Sequence, residues 1–443
     1  MSRSSPPPSA PNTGPNTGQN SGPNSGQKSS RPADAPGVPA RLAALRLMDA
    51  VLRRGDPLDQ AAPPLLRAIE RADDRALALA IVHEALRRLP DFDALIDAHT
   101  RDNLPEDAKA RAVLRLMLAQ ALRLGLPPHA VIATGLPLLT GGPRRLAHGV
   151  FSAVLRDAGT LPEALTLPAT VAARWQAAWP GRVDAIAAGL AEPPPLDVTL
   201  RDAAETALWT ERLGGHSLLP GHVRLPRGTA VESLPGFADG AWWVQDLAAS
   251  LPARLIGTGT GRALDLCAAP GGKTLQLAAT GWQVTALDKS ARRVERLTAN
   301  LARTGLSADV VVADALTWEP DARFDAILID APCSATGTAR RHPDVMHRLP
   351  RIAELVELQA ALLARASQWL APGGVLVYAV CSLEPEEGEA QAALVSGLAP
   401  APIDAAELPA GIAPSGQGWL RSDPGMLAQA GGIDGFFAAR WRG

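Results

Sequence analysis

Three cysteines are the residues best suited to covalent chemistry in this chain of 443 residues, and all three sit in the same kind of place. Cys381 in YAVCSLEPEEGE, Cys333 in ILIDAPCSATG and Cys267 in LDLCAAPGGKT each follow a short apolar run and precede small or polar turn-forming residues. An ionised thiol is a strong nucleophile. Acids recur at related places: Asp265 lies in LDLC, Asp288 ends QVTALD, Asp314 ends DVVVAD and Asp330 ends DAILID. One acid at a strand end is ordinarily a cap or a turn residue. Four in successive runs, with a glycine turn after the first, point to a binding site. The cysteines show no CxxC spacing, so neither a disulfide framework nor a metal site is expected. Free thiols fit a reducing, cytoplasmic compartment.

Three readings compete for LDLCAAPGGKT. A P-loop needs a glycine where this chain has Cys267, although Gly272, Lys273 and Thr274 fit its end. A dinucleotide fingerprint needs its glycines directly after the first strand, whereas GTGTG at 257–261 precedes it. The third reading is a small-residue turn, Cys267, Ala268, Ala269, Pro270, Gly271, Gly272 and Lys273, passing under S-adenosylmethionine (SAM). The glycines would allow close backbone approach. Asp288 would accept from ribose hydroxyls, Asp314 would reach an adenine edge, and the acids favour this reading. Beside SAM, a thiol is needed for methylation at carbon 5 of a pyrimidine. Thiolate addition at carbon 6 makes carbon 5 nucleophilic, splitting one hard step into easier ones. Asp330 is placed to stabilise the adduct at the ring nitrogen, and a second cysteine to assist removal of the carbon-5 proton.

The elements that must position these groups are legible from periodicity. RALDLC, QVTALD, DVVVAD, DAILID and VLVYAVC alternate with helical stretches such as ARRVERLTANLARTG, which reads as a parallel sheet covered on both faces. Ligands bind at the carboxyl ends of such strands. The fourth and fifth runs should be neighbours, bringing Cys333 and Cys381 to one pocket. The expected organisation is multidomain. A disordered low-complexity tail occupies 1–36, and an all-α bundle 37–160, with Leu42, Leu45, Met48 and Leu52 on one face of its first helix. A small α+β connector follows over 161–240, then an α/β Rossmann-like domain over 241–443. The net charge of −2 argues against a protein coated in basic charge, and a local basic groove stays possible. The only lysines are Lys28, Lys109, Lys273 and Lys289. No apolar run reaches membrane-spanning length, and the first residues lack a secretory h-region.

DLCAAPGGKT, DAPCSATG and VCSLEPEE resemble the signatures of the RsmB/NOP family of RNA cytosine-5 methyltransferases. The resemblance implies that Cys381 is the nucleophile and that Cys333 aids product release. It places SAM on Cys267–Lys273, with Asp288, Asp314 and Asp330 as further contacts. DNA cytosine-5 enzymes use the Pro-Cys cysteine with a Glu-Asn-Val motif, which this chain lacks. The helical region, ending GVFSAVLRDAG, looks like a NusB-type RNA-binding domain. That pairing implies a monomeric cytoplasmic enzyme methylating a cytosine of 16S rRNA, with SAM as the donor and no metal. Val380, Ala335 and Gly388 depart from the family's usual Thr, Gly and Asn, and none of these removes a reacting group.

Other residues carry paired readings. Glu384, Glu386, Glu387 and Glu389 are expected to open and solvate the next helix, where acids suit the N-terminal dipole. Arg340, Arg341 and His342 either contact RNA phosphates or form a solvated turn. Lys273 either approaches the SAM carboxylate or caps its helix. Trp242 and Trp243 either stack on bases or, as expected, pack between domains. Two alternatives remain for the whole: a non-catalytic RNA-binding or ribosome assembly factor, or the same chemistry on tRNA.

Overall fold

The computed structural model describes residues 35–348 and 351–443. Residues 1–34, which hold nearly all of the low-complexity stretch, lie outside it. The front of the chain is helical: α1 (Val38–Arg54), α2 (Leu58–Leu66), α3 (Ala72–Arg87), α4 (Leu89–Ala98), α5 (Lys109–Leu118), α6 (Pro128–Gly135) and α7 (Gly141–Arg156). A π-helical turn, Ala119–Arg123, prolongs α5. Helix α1 stops at Gly55, whose left-handed φ of 69° lets its N–H reach the carbonyls of Ala50 and Val51. The buried face of α1 is centred on Ala40, Ala44, Leu47 and Val51. Leu42 and Leu52 are instead half-buried and, with Leu45 and Met48, line a wide groove. The four do share one face, as their spacing predicts, and it flanks the most buried stripe, with Leu45 and Met48 in the core and Leu42 and Leu52 packed against it.

Two helices, α8 (Ala169–Ala178) and α9 (Val183–Leu190), pack Trp175, Ile186 and Leu190 against Val345, Met346 and Leu383. A small antiparallel sheet follows, ordered β2 (His222–Leu225), β1 (Leu196–Leu200), β3 (Trp242–Val244), with α10 (Thr206–Leu213) packed beside it. Its third strand lies beyond residue 240. Trp242 is buried in the core of this sheet, and Trp243 packs on Ala268, Leu275 and Leu297 of the next unit. Packing accounts for both tryptophans, and neither ring is open to a base.

Helix α11 (Leu247–Ile256), capped by Asp246, leads into the main sheet. Its strands are β4 (Arg262–Leu266), β5 (Gln283–Asp288), β6 (Asp309–Val312), β7 (Phe324–Asp330), β8 (Leu370–Val380), the short β9 (Ala399–Pro400), β10 (Leu420–Ser422) and β11 (Phe436–Arg442). Spatial order is β10-β11-β8-β7-β4-β5-β6, with β9 pairing β11. The five strands from β6 to β8 are parallel, as their apolar runs predict. The sheet as a whole is mixed, because β11 returns antiparallel along β8. Alternate side chains serve opposite faces: Ala326 and Leu328 meet α11, while Ile327 and Ile329 meet α14 (Ile352–Trp369). Helices α12 (Gly272–Ala279) and α13 (Ala291–Thr304) make the first two crossovers, and the short α15 (Glu389–Leu394) follows β8.

Candidate active site

The chain runs outward through β4, β5 and β6, then crosses back to place β7 on the other side of β4. A crevice opens at the carboxyl ends where the order reverses. Every predicted site residue lies on a loop, a strand end or the first turn of α12 there, though not all have the surroundings expected.

The turn after β4 is held in an uncommon shape. Cys267 has φ 62°, Ala269–Pro270 is cis, and Gly271 has φ 106° at the N-terminus of α12. A side chain at Gly271 would also crowd Leu297, at 3.0–3.3 Å. Glycine is thus needed for the turn and its packing, in addition to any approach to a ligand. Asp288 is buried at the end of β5 and braces this turn: its carboxylate accepts from the N–H of Ala269 at 3.1 Å and of Ser290 at 2.9 Å. Asp314 is exposed, and its carboxylate accepts from Leu316 N–H within its own turn. Asp265 is wholly buried; one oxygen accepts from Thr274 Oγ1 at 2.6 Å and the other has no partner. Burial pushes its carboxyl up to about 7.

Lys273 neither caps its helix nor stands free. Its ammonium donates to Asp330 Oδ2 at 2.7 Å and lies over the ring of Phe436. Burial acts to lower it, but the charge and hydrogen bond of Asp330 outweigh that and hold it above its ordinary value. Asp265, Ala268, Pro270, Gly272, Lys273 and Asp330 share a cavity of about 430 Å³ with β3 and the segment before it.

Cys333 and Cys381 meet across the β7–β8 edge with their sulfurs 3.4 Å apart. The hydrogen bond with Cys381 and then burial raise the Cys333 thiol well above its usual range. Burial, with the nearby acids Asp330 and Asp288, raises Cys267 to about 12. Cys267 packs into the sheet core and stays a thiol at neutral pH.

The glutamates after Cys381 correct the expectation of a solvated helix start. Glu386 is exposed and Glu389 opens α15, but Glu384 and Glu387 have no exposed surface. Glu384 takes a bidentate pair from Arg174 of α8 at 2.7 and 3.0 Å and accepts from Trp175 Nε1. Glu387 accepts from Ser334, Ser382 and Gln359. Arg340 and Arg341 are likewise neither solvated nor free for phosphates. Arg341 pairs with Asp246 and Asp434, and buried Arg340 donates to the carbonyl of Gly431. Ala335, where the resembling family carries glycine, adopts φ 59°, a conformation that favours glycine.

The helical front reaches this site. Leu58 N–H donates to buried Asp344 at 3.3 Å, and His347 Nε2 lies 2.7 Å from the carbonyl of Leu86. The turn between α1 and α2, at Gly55 and Pro57, walls a second cavity of about 430 Å³ with Cys333, Ser334, Val345 and Arg348. Sequence reasoning missed this wall and the buried glutamates. One signal was available: each of the paired cysteines is followed by serine, and both serines bond to Glu387.

A five-stranded parallel core with this strand order, an acid-rimmed switch point and a small-residue turn under it define a Rossmann-like methyltransferase domain. Residues 257–442 match the family described as 16S rRNA methyltransferase RsmB/F, and residues 38–158 match the NusB family. The chain is 35% identical to ribosomal RNA small subunit methyltransferase B of Klebsiella pneumoniae (strain 342), over 79% of this chain and 88% of that one. It is 36% identical to the protein of that name from Pseudomonas syringae pv. tomato, over 90% and 96%. The crystal structure of PH0851 shares the fold, with TM-score 0.68 and 20% identity over 91% of this chain and 98% of that one. The chain belongs to the RsmB/F family of RNA methyltransferases.

Proposed function

We propose that this protein methylates carbon 5 of a cytosine in 16S rRNA, with Cys381 as nucleophile and Cys333 assisting release. The observation that carries the reading is the pair of thiols 3.4 Å apart at adjacent strand ends, beside the acid-rimmed turn. The residues present suit SAM. The unpartnered oxygen of buried Asp265 and the carboxylates at the strand ends are acceptors for amine and hydroxyl groups. The turn Cys267–Lys273, with Asp288, Asp314 and Asp330, would hold the cofactor, which when bound supplies the methyl group. Substrate choice is supported by membership of the family and by the names of the relatives. Such an enzyme would work in the cytoplasm, where its RNA is made.

The Cys381 sulfur bonds to carbon 6, and the electron pair displaced toward carbon 5 makes that carbon nucleophilic. The Asp330–Lys273 pair can share a proton with the ring edge while this charge develops. In release, the carbon-5 proton leaves, its electron pair restores the ring double bond, and the carbon 6–sulfur bond breaks with its pair returning to Cys381. Cys333 is poised for that proton. The hydrogen bond that the Cys333 thiol makes to the Cys381 sulfur is the largest cause of its raised value, and it is lost once Cys381 is bonded to the base. Cys333 then gives up its own proton more readily and can serve as base.

The test separates the thiols. Cys333→Ala incubated with SAM and unmethylated RNA should accumulate RNA that stays on the protein under denaturing conditions; Cys381→Ala should neither trap RNA nor transfer methyl. Methyl transfer surviving in Cys381→Ala would sink the covalent reading.

A further inference from the structure

We propose that Glu387 is a positioning residue for the two thiols, holding the residue after each cysteine on one buried carboxylate; this rests on the covalent reading above. Glu387 Oε2 accepts from Ser334 Oγ at 2.5 Å and from Ser382 Oγ at 2.6 Å. Oε1 accepts from Ser334 N–H at 2.9 Å and from Gln359 Nε2 at 3.1 Å. The two serine hydroxyls are themselves 3.0 Å apart. The carbonyl of Glu387 accepts from Tyr378 OH of β8 at 2.6 Å, so its backbone is fixed to the strand that carries Cys381. Gln359 donates also to the carbonyl of Pro332, on the other side of Cys333.

Among the described residues no cation pairs with Glu387, so four donors alone compensate its burial. Burying a carboxylate this way is costly, and apolar side chains of similar volume often fill such a space as well or better. A carboxylate offers direction: charge-assisted hydrogen bonds are short and tightly oriented, and here they run to both sulfur-bearing loops. The β7–β8 ladder brings the strand ends together, but the thiols lie beyond it, on loops with no ladder of their own. Their separation is therefore set by what joins the loops: Gly337 N–H donates to the carbonyl of Cys381 and Leu383 N–H to Thr336 Oγ1, each at 3.0 Å, and Glu387 joins them one residue past each sulfur. Misplacement by about 1 Å at a reacting centre costs on the order of 100-fold in rate.

The full-length protein would be compared with Glu387→Ala and Glu387→Gln in three measurements. These are single-turnover methyl transfer, the ratio of trapped RNA adduct to product, and capture of both thiols by phenylarsine oxide without RNA or SAM. Glu387→Ala should slow methyl transfer about 10–100-fold, raise the adduct-to-product ratio, and weaken arsenical capture about tenfold, with SAM affinity within about twofold of the parent. A smaller folded fraction would leave that ratio unchanged. Glu387→Gln keeps one acceptor oxygen and should lie between the two. If Glu387→Ala does not fold, the double variant Ser334→Ala, Ser382→Ala removes the hydroxyl donors and should move the ratio in the same direction. Unaltered capture and ratio in whichever variant folds would overturn the proposal. Arsenical capture does not depend on the reaction, so the clamp can fail while the covalent reading stands, and the reverse.

Discussion

At the scale of single residues, the site combines groups whose protonation is shifted by burial and by one another. Asp265 shows the sign most directly. Its folded value is raised from 3.8 to about 7, so the stability it contributes is fully present below about pH 4 and is lost as pH rises through 7. Asp265→Asn removes the charge and keeps an oxygen for Thr274. It should raise stability on the order of 2–4 kcal/mol at pH 8 and distinctly less at pH 5, read as the shift in Tm at each pH. No difference between the two pH values would show that Asp265 is ionised in the folded protein at both. Residue identity was the most legible level in the sequence: Cys333, Cys381 and the acids at strand ends stand where apolar runs stop. The roles of Glu384 and Glu387 were not legible. A cluster of glutamates after a strand looks the same whether it faces water or the serines and arginine that bury it, and of those partners Ser334 and Arg174 lie far away in the chain.

At the scale of elements, the parallel strands announced themselves because each is an apolar run bounded by turn residues. The returning strand β11 did not, since GFFAARWR reads equally well as a terminal apolar patch. Yet β11 fixes the site from outside. It pairs along β8 from Val375 to Val380, and the loop before it packs against the loop that carries Cys333. A side chain at Gly337 would lie 2.0 Å from the backbone oxygen of Gly435. No flexible group can yield there, so Gly337→Ala should push the two loops apart and destabilise the protein by about 2–4 kcal/mol. Chemical denaturation would measure this. A cost below about 0.5 kcal/mol would mean that the contact is looser than described.

At the scale of the whole molecule, the periodicity of the front third predicted helices but not where they dock. Docking depends on isolated contacts, Leu58 to Asp344 and His347 to Leu86, that leave no periodic trace. No described helix is long and apolar enough to cross a membrane. The α1–α2 turn stands over the cavity beside Cys333, so bulk placed there should obstruct substrate without touching the cofactor side. Pro57→Trp should raise the KM for RNA about tenfold while SAM affinity stays within about twofold. Equal loss of both would place the effect in folding instead.

That turn also bears on how far the molecule is modular. A front unit joined to a catalytic unit invites the view that one is an address label and the other the machine, each exchangeable between relatives. Here the label supplies part of the casing of the machine. A chimaera that kept the catalytic half and borrowed a foreign bundle would inherit a reaction chamber with a foreign wall, and would have to be refitted at that seam before its chemistry could be judged.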